Sequence, residues 1–181
     1  MNERNGRVIL GLDPGTAATG YGVICVSGNR LKALEFGVVE TEAGVPLERR
    51  LRQIYGEVGE LLERHHPMAT AVESLFFNTN VRTALAVGHA RGVTLLACSQ
   101  AECEVFEYTP QQVKQAVVGY GKASKEQVME MVRVLLGLAE TPRPDHAADA
   151  LGIAICHANS AGIRERVAKT GAGAALKGRI R

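Results

Sequence analysis

Aspartate is the rarest charged residue in this chain: Asp13, Asp145 and Asp149 stand against sixteen glutamates. Surface charge is therefore carried by the longer Glu side chain, and the few short, stiff carboxylates become suspects for fixed-geometry work such as metal binding. Other absences exclude whole classes. No stretch approaches the roughly 18–20 continuous apolar residues of a membrane-spanning helix. The opening residues, Met1 to Arg7, contain no apolar h-region, so nothing there signals export. The four cysteines, Cys25, Cys98, Cys103 and Cys156, lie scattered in apolar segments and form no CxxC pair. They are expected to be reduced core thiols of a cytoplasmic protein. There is no internal repeat, and no linker precedes the C-terminal stretch.

What is present describes a globular chain. Its 181 residues, 46% apolar and 22% charged, suit one domain with a substantial core. The net charge of +2 is unevenly spread. Residues 160–181 hold six basic residues (Arg164, Arg166, Lys169, Lys177, Arg179, Arg181) against Glu165, a net +5, which leaves −3 on the rest. The expected organisation is one domain over 1–160 and a basic, disordered tail over 161–181. That tail can touch a polyanion, or charge can simply keep it soluble.

Hydropathy patterning gives the element order. Arg7–Leu12 reads as a buried strand, followed by strands at Gly20–Val26 and Leu31–Glu40 across the turn Ser27-Gly28-Asn29-Arg30, an antiparallel meander. Pro46 opens a helix with Leu47, Leu51, Ile54, Val58, Leu61 and Leu62 inward, ending near His65-His66-Pro67. The paired histidines suit the negative end of a helix dipole as surface cations. A short strand, Ala69–Glu73, precedes an Ala/Val/Leu-rich helix over 80–100 that contains Gly88 and Gly92. A fifth strand spans Glu104–Tyr108, and Pro110 starts a helical turn. Lys125–Leu138 is an amphipathic helix with Val128, Met131, Val132, Leu135 and Leu136 inward. After Pro142-Arg143-Pro144, a last helix runs from Asp145 to Ala158 on a stripe of Ala148, Leu151, Ile155 and Ala158. This order predicts an α/β fold with a mixed five-stranded sheet, three strands antiparallel and two parallel, flanked by helices.

In such sheets, sites gather at the carboxyl ends of central strands, where Asp13 and Glu73 stand. If strands one and four are parallel neighbours, which a right-handed crossover allows, these carboxylates meet. A helix presenting Asp145, His146 and Asp149 at i, i+3 and i+4 spacing can close the site. Carboxylates so crowded repel unless protonated or bridged by cations. Oxygen-rich clusters select hard ions such as Mg²⁺, and two such ions ~4 Å apart clamp the attacking and leaving oxygens of a phosphodiester. The chemistry points to a metal-dependent nuclease; a general acid/base pair acting on a sugar needs fewer carboxylates.

Four motifs carry a family resemblance: Gly11-Leu12-Asp13-Pro14-Gly15-Thr16, Val72-Glu73-Ser74-Leu75-Phe76-Phe77, Gln112-Val113-Lys114-Gln115-Ala116-Val117 and Asp145-His146-Ala147-Ala148-Asp149-Ala150-Leu151. In this order and spacing, over residues 7–160, the sequence resembles the RuvC-type Holliday junction resolvases, which have the ribonuclease H-like fold. The resemblance implies that Asp13, Glu73, His146 and Asp149 are the catalytic, metal-binding set. This chain resembles members with His rather than Asp at the third of these positions. His146 then either coordinates a metal or moves a proton at the leaving 3′ oxygen. Asp145 falls off the family position and is expected as the helix N-cap.

The same resemblance implies Mg²⁺, with Mn²⁺ substituting, as two ions per site. It also implies paired symmetric nicks in four-way DNA junctions during recombination and repair, leaving 5′-phosphate and 3′-hydroxyl ends. The family is homodimeric, and the two-fold symmetry of a junction suits two identical sites; the 80–100 helix is the expected interface, or else a buried core helix. Branch-migration proteins of the RuvA and RuvB type are expected partners.

For DNA contact, Phe76 is favoured by the resemblance, and Phe77 follows it: one of the two can stack on a base or wedge a junction open while the other packs inward. The acid-free window 108–125 holds Lys114, Lys122 and Lys125 and reads as a phosphate-contacting ridge. Arg82 and Arg91 are further candidates. Two rival readings remain: a single-domain relative of actin-like ATPases and sugar kinases, suggested by Asp-Pro-Gly-Thr after a strand, and a non-catalytic junction-binding module.

Overall fold

Strand pairing sets the geometry on which everything else rests. The computed structural model describes residues 6–74 and 81–169, with side chains described over 6–74 and 84–162. Along these residues run β1 (Arg7–Asp13), β2 (Ala18–Ser27), β3 (Arg30–Glu40), α1 (Leu47–His65), β4 (Ala69–Glu73), α2 (Val81–Gln100), β5 (Val105–Tyr108), α3 (Pro110–Val118), α4 (Lys125–Leu136) and α5 (Asp145–Lys169). The sheet order is β3-β2-β1-β4-β5. The first three strands pair antiparallel, while β4 runs parallel to β1 and β5 parallel to β4. This is the mixed five-stranded sheet, three strands antiparallel and two parallel, that the element order predicted.

Side chains alternate across the sheet and feed two cores. Ile9, Ile24 and Ala71 join α3, α4 and α5 through Val113, Val128, Val132 and Leu151. Leu10, Leu12, Val23 and Val72 join α1 and α2 through Ile54, Val58, Ala90 and Ala97. The helices between follow from local chemistry. Thr109 and Ser124 each form a capping box, with Gln112 and Gln127 reaching back, at the starts of α3 and α4. Gly119 and Gly137 close the same helices in the left-handed conformation.

Helix α5 is apolar on every side over residues 150–156, where Ala150, Leu151, Ile153, Ala154, Ile155 and Cys156 are all buried, as are Ala147 and Ala148 before them. A helix buried all round belongs to the interior, so the expected one-sided stripe is only part of its contact surface. It lies directly on β1 and β2 because both strands carry glycine beneath it. A methyl group at Gly11 would run into the Ala150 carbonyl, and one at Gly20 into the His146 carbonyl.

Several boundaries and faces differ from expectation. Pro110 starts a full helix rather than a turn. α5 continues past Ala158 to Lys169, so residues 161–169 of the expected tail are helical. No proline interrupts that stretch, and its one glycine, Gly162, costs only about 1 kcal/mol relative to alanine. Residues 170–181 lie outside the described residues. In α4 the buried set is Val128, Met129, Val132 and Leu136, with Leu135 exposed; the helix faces both α3 and α5, which turns its inner stripe towards Met129. Leu47, at the open first turn of α1, is exposed. Of the two histidines closing α1, His66 adopts the left-handed cap. His65 is instead half-buried, its Nε2 2.7 Å from Glu35 Oε2 of β3. All four cysteines are free thiols. No helix among the described residues is long and apolar enough to cross a membrane.

Candidate active site

The parallel pairing of β1 with β4 does what the sequence required of it. Leu12 is registered with Val72, so the next residues along, Asp13 and Glu73, end adjacent strands at the same edge of the sheet. α5 then brings its first turns across that edge. His146 Nδ1 lies 2.8 Å from Asp13 Oδ2, so the imidazole N–H donates to the carboxylate. Among the described residues, one ligand atom each from Asp13, His146 and Asp149 lie within 4.8 Å of one another. Glu73 stands outside that triangle but within its field.

Electrostatics reports the crowding. Burial, followed by the negative charges of Asp13 and Asp149, pushes the Glu73 carboxyl up to about 7. Asp149 is also raised above its ordinary value, first by burial and against the pull of Lys125. Lys125, at the first position of α4, places Nζ 3.2 Å from both Asp149 Oδ2 and Asp145 Oδ2. An ammonium on one side, an imidazole on another and a carboxyl that holds its proton are the signs of a site short of positive charge. Three carboxylates and one nitrogen donor also match the ligand preferences of Mg²⁺ and Mn²⁺. The residues fit a hard divalent cation.

The loop after β1 is held rigidly. Thr19 Oγ1 donates to the Gly15 carbonyl at 2.8 Å. Arg50 of α1 donates from Nη2 to the Thr16 carbonyl and from Nε to Thr41 Oγ1, each at 2.7 Å, while Thr41 Oγ1 itself donates to the Thr16 carbonyl. Asp13 therefore leaves the sheet into a fixed turn rather than a mobile one.

Other expected site residues fall as follows. Asp145 is not the N-cap: it opens α5 itself, and the Pro144 carbonyl accepts the Ala147 N–H at 2.9 Å. Its carboxylate turns to Lys125, and to Arg143 at 3.7 Å, because those cations offer more than a free amide. Lys125 sits inside the carboxylate cluster rather than on an outer ridge. Lys122 is exposed and Lys114 half-buried, with no ion-pair partner for either among the described residues. Phe76 and Phe77 lie outside the described residues, as does the side chain of Arg82. Arg91 is no exposed phosphate contact: it is buried, with Nη1 donating to the Glu73 carbonyl and Nη2 paired with Glu107, each at 2.6 Å. Sequence reading missed this role, although an arginine midway along a helix rich in Ala, Val and Leu was a signal for it.

Comparison with known proteins agrees with this geometry. Residues 9–157 match the family model for the crossover junction endodeoxyribonuclease RuvC. A RuvC of Pelotomaculum thermopropionicum is 56% identical over 152 residues, covering 84% of this chain and 93% of the relative. Among solved structures, Thermus thermophilus RuvC superimposes with a TM-score of 0.81 at 44% identity, over 86% of this chain and 96% of that one. The T. thermophilus protein in complex with a Holliday junction substrate gives 0.82 at the same identity, over 86% and 94%. A match that spans the sheet, α5 and the carboxylates they bring together shows that the chain belongs to the RuvC family of crossover junction endodeoxyribonucleases.

Proposed function

We propose that this protein is a metal-dependent endonuclease that resolves four-way DNA junctions by paired symmetric nicks, in recombination and repair. The observation that carries the proposal is the convergence of Asp13, His146 and Asp149 within 4.8 Å, with Glu73 raised to about 7 beside them, in a chain of this family.

Asp13, Glu73 and Asp149 would hold Mg²⁺ or Mn²⁺, as two ions in the family pattern, with His146 as a nitrogen ligand or as the proton donor at the leaving oxygen. Bound there, the metal supplies the positive charge that makes water a nucleophile near neutral pH and steadies the oxygen left behind. The chain's own groups do the rest. Asp13 accepts the Nδ1–H of His146, which orients the ring and leaves Nε2 facing outward for one of its two roles. The Lys125 ammonium, 3.2 Å from Asp149 and Asp145, would be placed to meet the phosphate at the edge of the site. The fixed Pro14–Ala17 turn and buried α5 keep the acids from splaying, so their geometry is set before substrate arrives. Cleavage at the 3′ oxygen leaves 5′-phosphate and 3′-hydroxyl ends.

Lys114, Lys122 and Arg82 are proposed as phosphate contacts and Phe76 and Phe77 as junction contacts. α2 is the proposed homodimer face: Leu85 and Leu96 are 59% and 52% exposed, an unusual display on an apolar helix. Branch-migration proteins of the RuvA and RuvB type are proposed partners, and the compartment holding the chromosome, the cytoplasm, is the proposed location. Family membership weighs against both rivals, the actin-like ATPase relative and the non-catalytic module.

The test is cleavage of a synthetic four-way junction in Mg²⁺ or Mn²⁺, with linear duplex and flap controls. Two symmetric nicks are expected, lost in Asp13→Asn while junction binding persists. No cleavage in either metal, or full activity in Asp13→Asn, overturns the reading.

A further inference from the structure

The Glu73 carbonyl is met by an unusual donor. Where β4 ends, the Ser74 N–H still reaches the Tyr108 carbonyl of β5 at 2.8 Å. On the other side, β1 runs past its last registered pair, Leu12–Val72, into Pro14, which has no N–H to offer. The donor comes instead from α2, where Arg91 extends Nη1 to the Glu73 carbonyl at 2.6 Å. Its Nη2 is fixed by Glu107 Oε1 of β5, also at 2.6 Å. Arg91 is 8% exposed, whereas the Glu107 side chain is 54% exposed.

A buried guanidinium is costly unless its donors are satisfied. This one addresses the main chain of Glu73 and the carboxylate of Glu107, and ties α2, β4 and β5 together at a single peptide. We propose that Arg91 is a positioning residue: by fixing the Glu73 peptide at the strand end, it sets the aim of the Glu73 carboxylate into the metal site. It touches neither substrate nor metal. A fork of rigid donors suits this task, because Glu107 anchors one nitrogen and so fixes the direction from which the other meets the Glu73 carbonyl, which a single ammonium cannot do. The inference rests on the reading of Glu73 as a metal-binding acid.

Arg91→Lys keeps the charge and removes the fork, and Glu107→Ala loosens the fork from the exposed side. Mn²⁺ binding is measured calorimetrically on the intact protein, alongside junction affinity without metal and nicking across a Mn²⁺ series. Arg91→Lys is expected to weaken Mn²⁺ binding by about tenfold or more, the usual scale for groups that orient metal ligands. Nicking should fall at low Mn²⁺ and partly recover at high Mn²⁺, with junction affinity unchanged. Glu107→Ala should act in the same direction by a smaller factor. Wild-type Mn²⁺ binding in Arg91→Lys overturns the inference, as does a loss confined to junction affinity. If Arg91→Lys does not fold, Glu107→Ala decides by the same criterion. A wild-type protein that neither binds Mn²⁺ nor nicks junctions removes the nuclease reading and this inference with it; a working wild type beside an indifferent variant removes Arg91 alone.

Discussion

Glu73→Gln should make the metal-free protein more stable while ending cleavage. In the absence of cation, Glu73 titrates near 7 rather than at 4.5, because it is part-buried beside Asp13 and Asp149. At about pH 8 the folded site must hold an ionised carboxylate that its surroundings disfavour by about 3 kcal/mol, taking about 1.4 kcal/mol for each tenfold step. Partial exposure and screening reduce this to an effect on the order of 1–2 kcal/mol. The sign follows from proton counting. Between 4.5 and about 7 the folded state binds more protons at Glu73 than the unfolded chain does, so this residue's contribution to stability falls as pH rises through that window. Glutamine escapes the penalty. In EDTA at about pH 8 the unfolding midpoint should therefore rise by roughly 2–8 °C for a chain of this size. At about pH 4, below the unfolded value, Glu73 is protonated in both states and the gain should nearly vanish. Added Mg²⁺ or Mn²⁺ should stabilise the wild type more than the variant. Thermal unfolding followed by circular dichroism at both pH values measures this. A variant equal to or less stable than wild type at the higher pH, or a gain that persists undiminished at the lower one, refutes the reasoning.

Lys125→Met removes two ion pairs that are partly exposed, so stability should change by under about 1 kcal/mol. If Lys125 stands in for a cation at Asp149, the variant should bind Mn²⁺ at least as tightly as wild type by calorimetry and yet nick junctions about tenfold more slowly; weakened Mn²⁺ binding would contradict that role. Gly20→Ala would drive a methyl into the His146 carbonyl and lift the first turn of α5 from β2. Overpacking of this kind costs about 1–3 kcal/mol, read as a lower denaturation midpoint. Nicking should fall far more than junction binding, and equal losses in both would show that the seat of α5 does not set the site.

Much of this was legible because two periodicities carried it. Strand alternation and helical spacing located the elements, and the parallel neighbours β1 and β4 brought Asp13 and Glu73 to one edge as the strand-end argument required. The spacing of His146 and Asp149 then placed both on the turns of α5 that cross that edge. What escaped were features without a period. The end of α5 was missed because the polar residues after Ala158 resemble a tail although nothing in them breaks a helix. The role of Asp145 was missed because its pull comes from Lys125, twenty residues earlier in the chain and on another helix. Arg91 was read as surface because arginine usually is; only the tertiary fold reveals a main-chain carbonyl at a strand end that needs a donor.

The same facts explain why the site is assembled from so many elements. A single strand end can supply one short carboxylate in fixed position, and a like-charged neighbour beside it must be held there against repulsion. Here each acid is secured by something other than its partner acids. Asp13 leads into a turn latched by Arg50 and Thr19, and the peptide of Glu73 is gripped by Arg91. Asp149 rides on a helix sunk into the core on one face of the sheet, seated on strands that give up their side chains at Gly11 and Gly20. The restraints are therefore in place without a cation, and the repulsion that they contain is what a bound cation would relieve. A site built this way spends fold stability on readiness, with restraints that reach from the strand ends to Arg91 in the middle of α2.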